Sequence, residues 1–143
     1  MREAILDANV LLRYLTDEPR DLADRVAAIL ETAESQRIPL IVAPLTLAEV
    51  VYLLESVYHW PRKEIAERLL DLISASVLTV LEQDTLSQAL TWYRDLRGLD
   101  FADGYVAALA ASRGQGQVIS FDRHLRRVPG ITVIQDPTQV RRD

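Results

Sequence analysis

Apolar and polar positions along the chain follow two periods. Ala4, Ile5 and Leu6 form a short apolar run, Asp7 and Asn9 interrupt it, and Val10, Leu11, Leu12 and Leu15 resume at helical spacing. A strand that feeds a helix through so short a turn opens a βα unit. Asp17-Glu18-Pro19 closes that helix and Pro19 opens the next, where Leu22, Ala23, Val26, Ala27, Leu30 and Ala33 recur with the same period. Residues 38–43 read as the second strand and 45–58 as a helix led in by Pro44. Trp60-Pro61 begins another, with Ile65, Ala66, Leu69, Leu70 and Ile73 on one face. Residues 77–81 form the third strand. The helix after it carries Leu86, Ala89, Leu90, Tyr93 and Leu96 and stops at Gly98. Residues 101–113 are apolar and alanine-rich, which predicts a buried helix, ended by Gly114 and Gly116. Residues 118–120 and 131–134 are the last strands, and the polar tail 139–143 is expected to fray.

Strands that alternate with helices predict an α/β fold with a parallel sheet covered on both faces. No repeat, low-complexity stretch or linker interrupts the pattern, so residues 1–143 are expected to form a single domain.

Composition narrows the chemistry. Hydrophobic residues make up 49% and charged residues 26%, the balance of a packed globule and not of a disordered chain. There is no cysteine, so disulfides and thiolate metal sites are excluded and any metal binds oxygen or nitrogen. No apolar run reaches the roughly 18 residues of a membrane span, and the N-terminus lacks a signal-peptide apolar core; the chain is expected to be cytoplasmic, with no membrane partner. The net charge of −5 does not by itself favour nucleic acid. Arginine outnumbers lysine fifteen to one, Lys63 being the one lysine, and arginine forks suit phosphate or carboxylate.

Four acids stand out by position. Asp7, Glu49, Asp103 and Asp122 each follow a predicted strand or begin a helix. Taken singly, each reads as a helix cap, satisfied by free N–H groups and the helix dipole. Thr46-Leu47-Ala48-Glu49 has the capping-box pattern, Asp100 with Asp103 repeats its spacing, and Asp7 or Asn9 suits the first helix. Glu49 lies among leucines and valines, which predicts a part-buried carboxylate in need of a partner. Taken together, the acids have a second reading. In a parallel sheet the carboxyl ends of the strands share one edge, so acids from four junctions can converge there. Carboxylates so crowded repel, and a divalent cation offsets the repulsion. Oxygen ligands favour Mg²⁺ or Mn²⁺ over Zn²⁺. Such a site suits phosphodiester hydrolysis, with water activated and the phosphate neutralised.

On these residues the chain resembles a PIN-domain ribonuclease, specifically the toxin of a VapBC-type toxin–antitoxin pair. The motifs are Asp7-Ala8-Asn9-Val10-Leu11, Glu49 within Leu47-Ala48-Glu49-Val50, Asp100-Phe101-Ala102-Asp103-Gly104, and Ser120-Phe121-Asp122. The resemblance implies that Asp7, Glu49 and Asp103 hold Mg²⁺ or Mn²⁺, with Asp122 as a fourth, more variable acid. Asn9 and Ser120 match polar positions beside the site, and Asp100 is an accessory residue read as a helix cap. Gly104 departs from the alanine or serine more usual there. Further implications are a three-layer α/β/α sandwich around a five-stranded parallel sheet, a homodimer, an RNA substrate and a small antitoxin that blocks the site with a basic side chain. A cleft of negative charge attracts such a cation.

Other candidates carry less. His59 reads as a turn residue, and His124 lies with Arg123, Arg126 and Arg127 on a solvated face or against RNA phosphates. Tyr14, Tyr52, Tyr58, Trp92 and Tyr93 read as core or interface. A phospho-accepting receiver domain requires a lysine near the last strand, where none stands, and a haloacid-dehalogenase-type phosphotransferase requires aspartate at Asn9. The competing function is a catalytically inactive PIN-like module that binds RNA or protein.

Overall fold

The computed structural model describes residues 2–140. Within them the chain gathers into two compact units that divide after Gln83. In the first, β1 (Ala4–Ile5), β2 (Leu40–Val42) and β3 (Leu78–Val80) form a parallel sheet in that order. Ala4 stands opposite Leu40 and Val42 opposite Val80. Around it are α1 (Ala8–Thr16), α2 (Arg20–Gln36), α3 (Pro44–Ser56) and α4 (Arg62–Ile73). Helix α1 packs on α2 and α3, α3 on α4, and α4 on β3. The apolar residues that recur at helical spacing are the ones that turn inward: Leu11, Leu12 and Leu15 of α1 and Ile65, Ala66, Leu69 and Ile73 of α4 are buried.

The second unit holds α5 (Gln83–Asp95, whose first residue precedes the division), α6 (Phe101–Ser112), and the parallel pair β4 (Gln117–Ile119) and β5 (Thr132–Ile134). A 3₁₀ turn, Arg123–Arg127, lies between β4 and β5 in sequence and packs against α6 and β5. Leu99, Ala107, Val118, Leu125 and Val128 make its core, with Trp92, Leu96 and Ile131 against them.

The fold is therefore α/β with every strand pair parallel. Five strands form, as the alternating pattern predicts, but they are hydrogen-bonded as a three-stranded and a two-stranded sheet and not as one continuous ladder. Each strand is two or three residues long because the chain turns at once toward a helix. The Leu6 N–H donation to Ile41 O is the last rung before Asp7.

Helix starts differ from the sequence reading at α2, where Pro19 is the extended N-cap residue and Arg20 opens the helix, at α3 and at the last 3₁₀ turn. Helix α3 begins at Pro44 with Ala43 as its extended, uncapped N-cap residue, so Thr46 lies inside the first turn and the Thr46–Glu49 capping box does not form. Proline fixes the φ of the first helical position and removes an N–H that needs no partner there. A capping box forms instead at Asp136, where the side chain of Gln139 completes the 3₁₀ turn Pro137–Gln139. Gln139 Oε1 accepts from Gln135 N at 2.6 Å and Asp136 N at 3.0 Å, so Gln139 is not part of a frayed tail; residues 141–143 of that expectation lie outside the described residues.

Gly104 explains its own departure from alanine. A Cβ on it would sit 3.1 Å from the carbonyl oxygen of Ala89 in α5, a backbone atom that cannot swing aside. Gly104→Ala gains about 1 kcal/mol of helix propensity but forces α5 and α6 apart, with an overpacking cost of about 1–3 kcal/mol. We expect a lower urea midpoint for Gly104→Ala; an unchanged or higher one would show that the helices part freely.

Candidate active site

The first unit supplies Asp7, Asn9 and Glu49. Asp7 directly follows β1 and caps α1, its Oδ1 accepting from Ala8 N at 2.8 Å. Asn9 is exposed in the first turn of α1. Glu49 stands in the second turn of α3, the helix that follows β2, so both acids belong to the carboxyl edge of the three-stranded sheet. Contrary to the expectation of a part-buried carboxylate, Glu49 is exposed and has no hydrogen-bond or ion-pair partner among the described residues. Its face of the helix also carries exposed Leu45 and Tyr52, so the apolar neighbours in sequence do not enclose it.

The second unit brings Asp100, Asp103 and Asp122 close to one another. Asp100 caps α6, as read from the sequence, its Oδ1 accepting from Asp103 N at 2.8 Å. Asp103, in the first turn, lies near enough to Asp122 for the two carboxyls to affect each other's ionisation. Asp122 follows β4 and caps the 3₁₀ turn, accepting from His124 N at 2.9 Å. Ser120 holds the approach to it: its Oγ accepts from Asp122 N at 2.9 Å. A local feature missing from the sequence reading is the side-chain contact of His124, whose Nδ1 lies 3.0 Å from Asp122 Oδ1. The Asp-x-His spacing, which lets one carboxylate oxygen meet both backbone and ring of the second residue on, is the signal for it.

Electrostatics follows from these contacts. Partial burial pushes the Asp103 carboxyl up to about 6, helped by the hydrogen bond to Asp122 and the charges of Asp100 and Asp122. Asp122 moves the other way, below its ordinary value, because His124 N and then Asp103 donate to it. Below about pH 6 the Asp103 carboxyl thus holds its proton and can donate it in a hydrogen bond to Asp122, as happens where two acids meet. With its folded value above its ordinary 3.8, Asp103 contributes stability that is full below 3.8 and lost as pH rises through about 6. Asp122 contributes the opposite, lost only below its ordinary value. Asp103→Asn keeps a donor for Asp122 and cannot ionise. In chelator, it should match the wild type in melting temperature near pH 4 and exceed it above pH 6. A difference that does not change with pH would contradict the shared proton.

Among the described residues, no three or more His, Asp or Glu side chains are set to hold a metal ion. Asp7, Asp100 and Asp122 each direct one oxygen to a backbone N–H. The donor chemistry fits a hard divalent cation: oxygen donors, two of which raise the cost of ionising each other, a cost that positive charge beside them lowers. A cleft of about 410 Å³ beside α6 and β4, lined by Val106, Leu109, Ala110, Arg113 and Ile119 among others, contains no acid and takes no part.

Comparison with known proteins places these residues in a family. Residues 4–131 match the PIN domain. The chain is similar to the "VapC ribonuclease" of Aquifex aeolicus (strain VF5), with 26% identity over 129 residues that cover 90% of this chain and 94% of that protein. No solved structure matches it. No helix among the described residues is long and apolar enough to cross a membrane. With its parallel strands and its acids at strand ends and helix starts, the chain belongs to the PIN-domain family.

Proposed function

We propose that this protein is a Mg²⁺- or Mn²⁺-dependent endoribonuclease, the toxin of a toxin–antitoxin pair. The observation that carries the reading is the placement of Asp103 in the first turn of α6 and of Asp122 at the start of the turn after β4, near enough for each to bias the other's ionisation. Two acids held so close in a part-exposed site leave a place for positive charge. The PIN domain match and the similarity to a VapC ribonuclease support the same reading.

In this proposal Asp7, Glu49, Asp103 and Asp122 are the ligands, and Asn9, Ser120 and Asp100 hold them in place. Asp100 fixes the first turn of α6 through Asp103 N, and Ser120 fixes the turn before Asp122. A cation held by these residues would supply charge to neutralise the scissile phosphate and to lower the pKa of water. Water would add at phosphorus as it loses a proton to solvent, one P–O ester bond of the RNA would break, and the leaving oxygen would take up a proton. We further propose a homodimer in the cytoplasm and a small antitoxin that sets a basic side chain among the acids, matching their charge.

The test is incubation of end-labelled structured RNA with the protein in Mg²⁺, in Mn²⁺ and in EDTA, beside a calorimetric titration with Mn²⁺. Internal fragments in either metal and none in EDTA are expected. Mn²⁺ uptake without scission would overturn the enzyme and leave a PIN-like binding module.

A further inference from the structure

We infer that Phe121 is a stacking platform for an unpaired RNA base, with Arg123 and Arg126 on the neighbouring phosphates. The inference rests on the nuclease reading and adds a recognition contact to it: one base turned out of the strand onto this ring. Phe121 lies between Ser120 and Asp122 and is 85% exposed, more than any other large apolar side chain among the described residues.

The turn that carries the ring is fixed on both sides. Ser120 N–H donates to Ile134 O at 3.2 Å, Asp122 N–H to Ser120 Oγ at 2.9 Å, and His124 N–H to Asp122 Oδ1 at 2.9 Å. A ring presented on such a turn binds without first being ordered.

Arginines follow it closely in the chain, and this favours RNA over an apolar protein partner. Between Ser120 and Val128 stand three arginines against one aspartate, in a chain of net charge −5. Arg127 donates to Arg97 O and so ties the 3₁₀ turn to the segment after α5. Arg126 is exposed and steadied by Gln135 Oε1 at 2.5 Å. The Arg123 guanidinium is exposed and without a partner among the described residues. An aromatic face followed by exposed guanidinium groups is the chemistry that holds single-stranded nucleic acid, bases on the ring and phosphates on the cations. A paired RNA helix offers no base face to a lone ring.

The experiment measures fluorescence anisotropy of a fluorescein-labelled, mixed-sequence single-stranded RNA oligonucleotide with the protein in EDTA, where it is not cut. Phe121→Ala should weaken binding about tenfold, and Phe121→Tyr, which keeps the ring, should stay near wild type. Arg123→Ala should reduce the salt dependence by about one phosphate contact. Binding by Phe121→Ala equal to wild type overturns the inference. So does a Phe121→Tyr variant as weak as Phe121→Ala. If wild type cuts RNA while Phe121→Ala changes nothing, only this inference fails; if wild type neither binds nor cuts RNA, the nuclease reading fails with it.

Discussion

Asp7→Asn is expected to fold as the wild type does and, on the function proposed above, to lose metal-dependent RNA cleavage by about a hundredfold to a thousandfold. Asparagine caps a helix about as well as aspartate, so the oxygen that accepts from Ala8 N is replaced by an equivalent one and stability should stay within about 1 kcal/mol. The charge is not replaced. An amide oxygen is a weak ligand for a hard cation, and several kcal/mol of transition-state stabilisation lost from such a site is a rate loss of about that size. Chemical denaturation and a gel assay on the same preparation separate the two effects. A variant that unfolds returns Asp7 to a purely structural role, and one that cuts RNA at the wild-type rate removes it from the ligand set.

The largest loss of stability is expected from Tyr93→Ala, at about 3–5 kcal/mol. Tyr93 is fully buried in α5, and its ring meets that of Phe101 edge-on, with centroids 6.3 Å apart and planes at 83°. Such a pair adds about 0.5–1.5 kcal/mol beyond the area it buries. Phe101 is the first residue of α6, directly after the cap Asp100 and two before Asp103. The ring pair therefore anchors the helix end that carries two of the acids. Tyr93→Phe keeps the edge-on contact and should cost much less than the alanine variant. Urea denaturation checks both, and a Tyr93→Ala variant within 1 kcal/mol of wild type would show that the helix end is held by something else.

The order of strands and helices was legible because it rests on periodicity. Leu11, Leu12 and Leu15, or Ile65 and Leu69, declare a helix face without reference to the rest of the chain. Caps were legible only where nothing competed. Asp100 caps α6 as its position suggests, but Thr46 and Glu49 carry a capping pattern that Pro44 pre-empts by starting the helix two residues earlier. The same pattern at Asp136 and Gln139 does form, because Pro137 there stands at the first helical position and Asp136 just before it. The exposure of Glu49 was not legible: α3 is apolar on most sides, so composition does not say which side faces out. Nor was the approach of Asp103 to Asp122. Each acid could be marked from its strand end or helix start, but the approach depends on how α6 meets the 3₁₀ turn.

The passage from β4 to β5 has a consequence for how the site can vary. Parallel neighbours cannot be joined by a hairpin, and the return takes about a dozen residues at least; residues 120–131 are all this chain spends on it, with a 3₁₀ turn in place of a full helix. There is no slack to remove. A deletion in this stretch would uncouple β5 before it merely reshaped the surface, so diversity around Ser120, Phe121 and Asp122 has to come by replacing side chains at constant length.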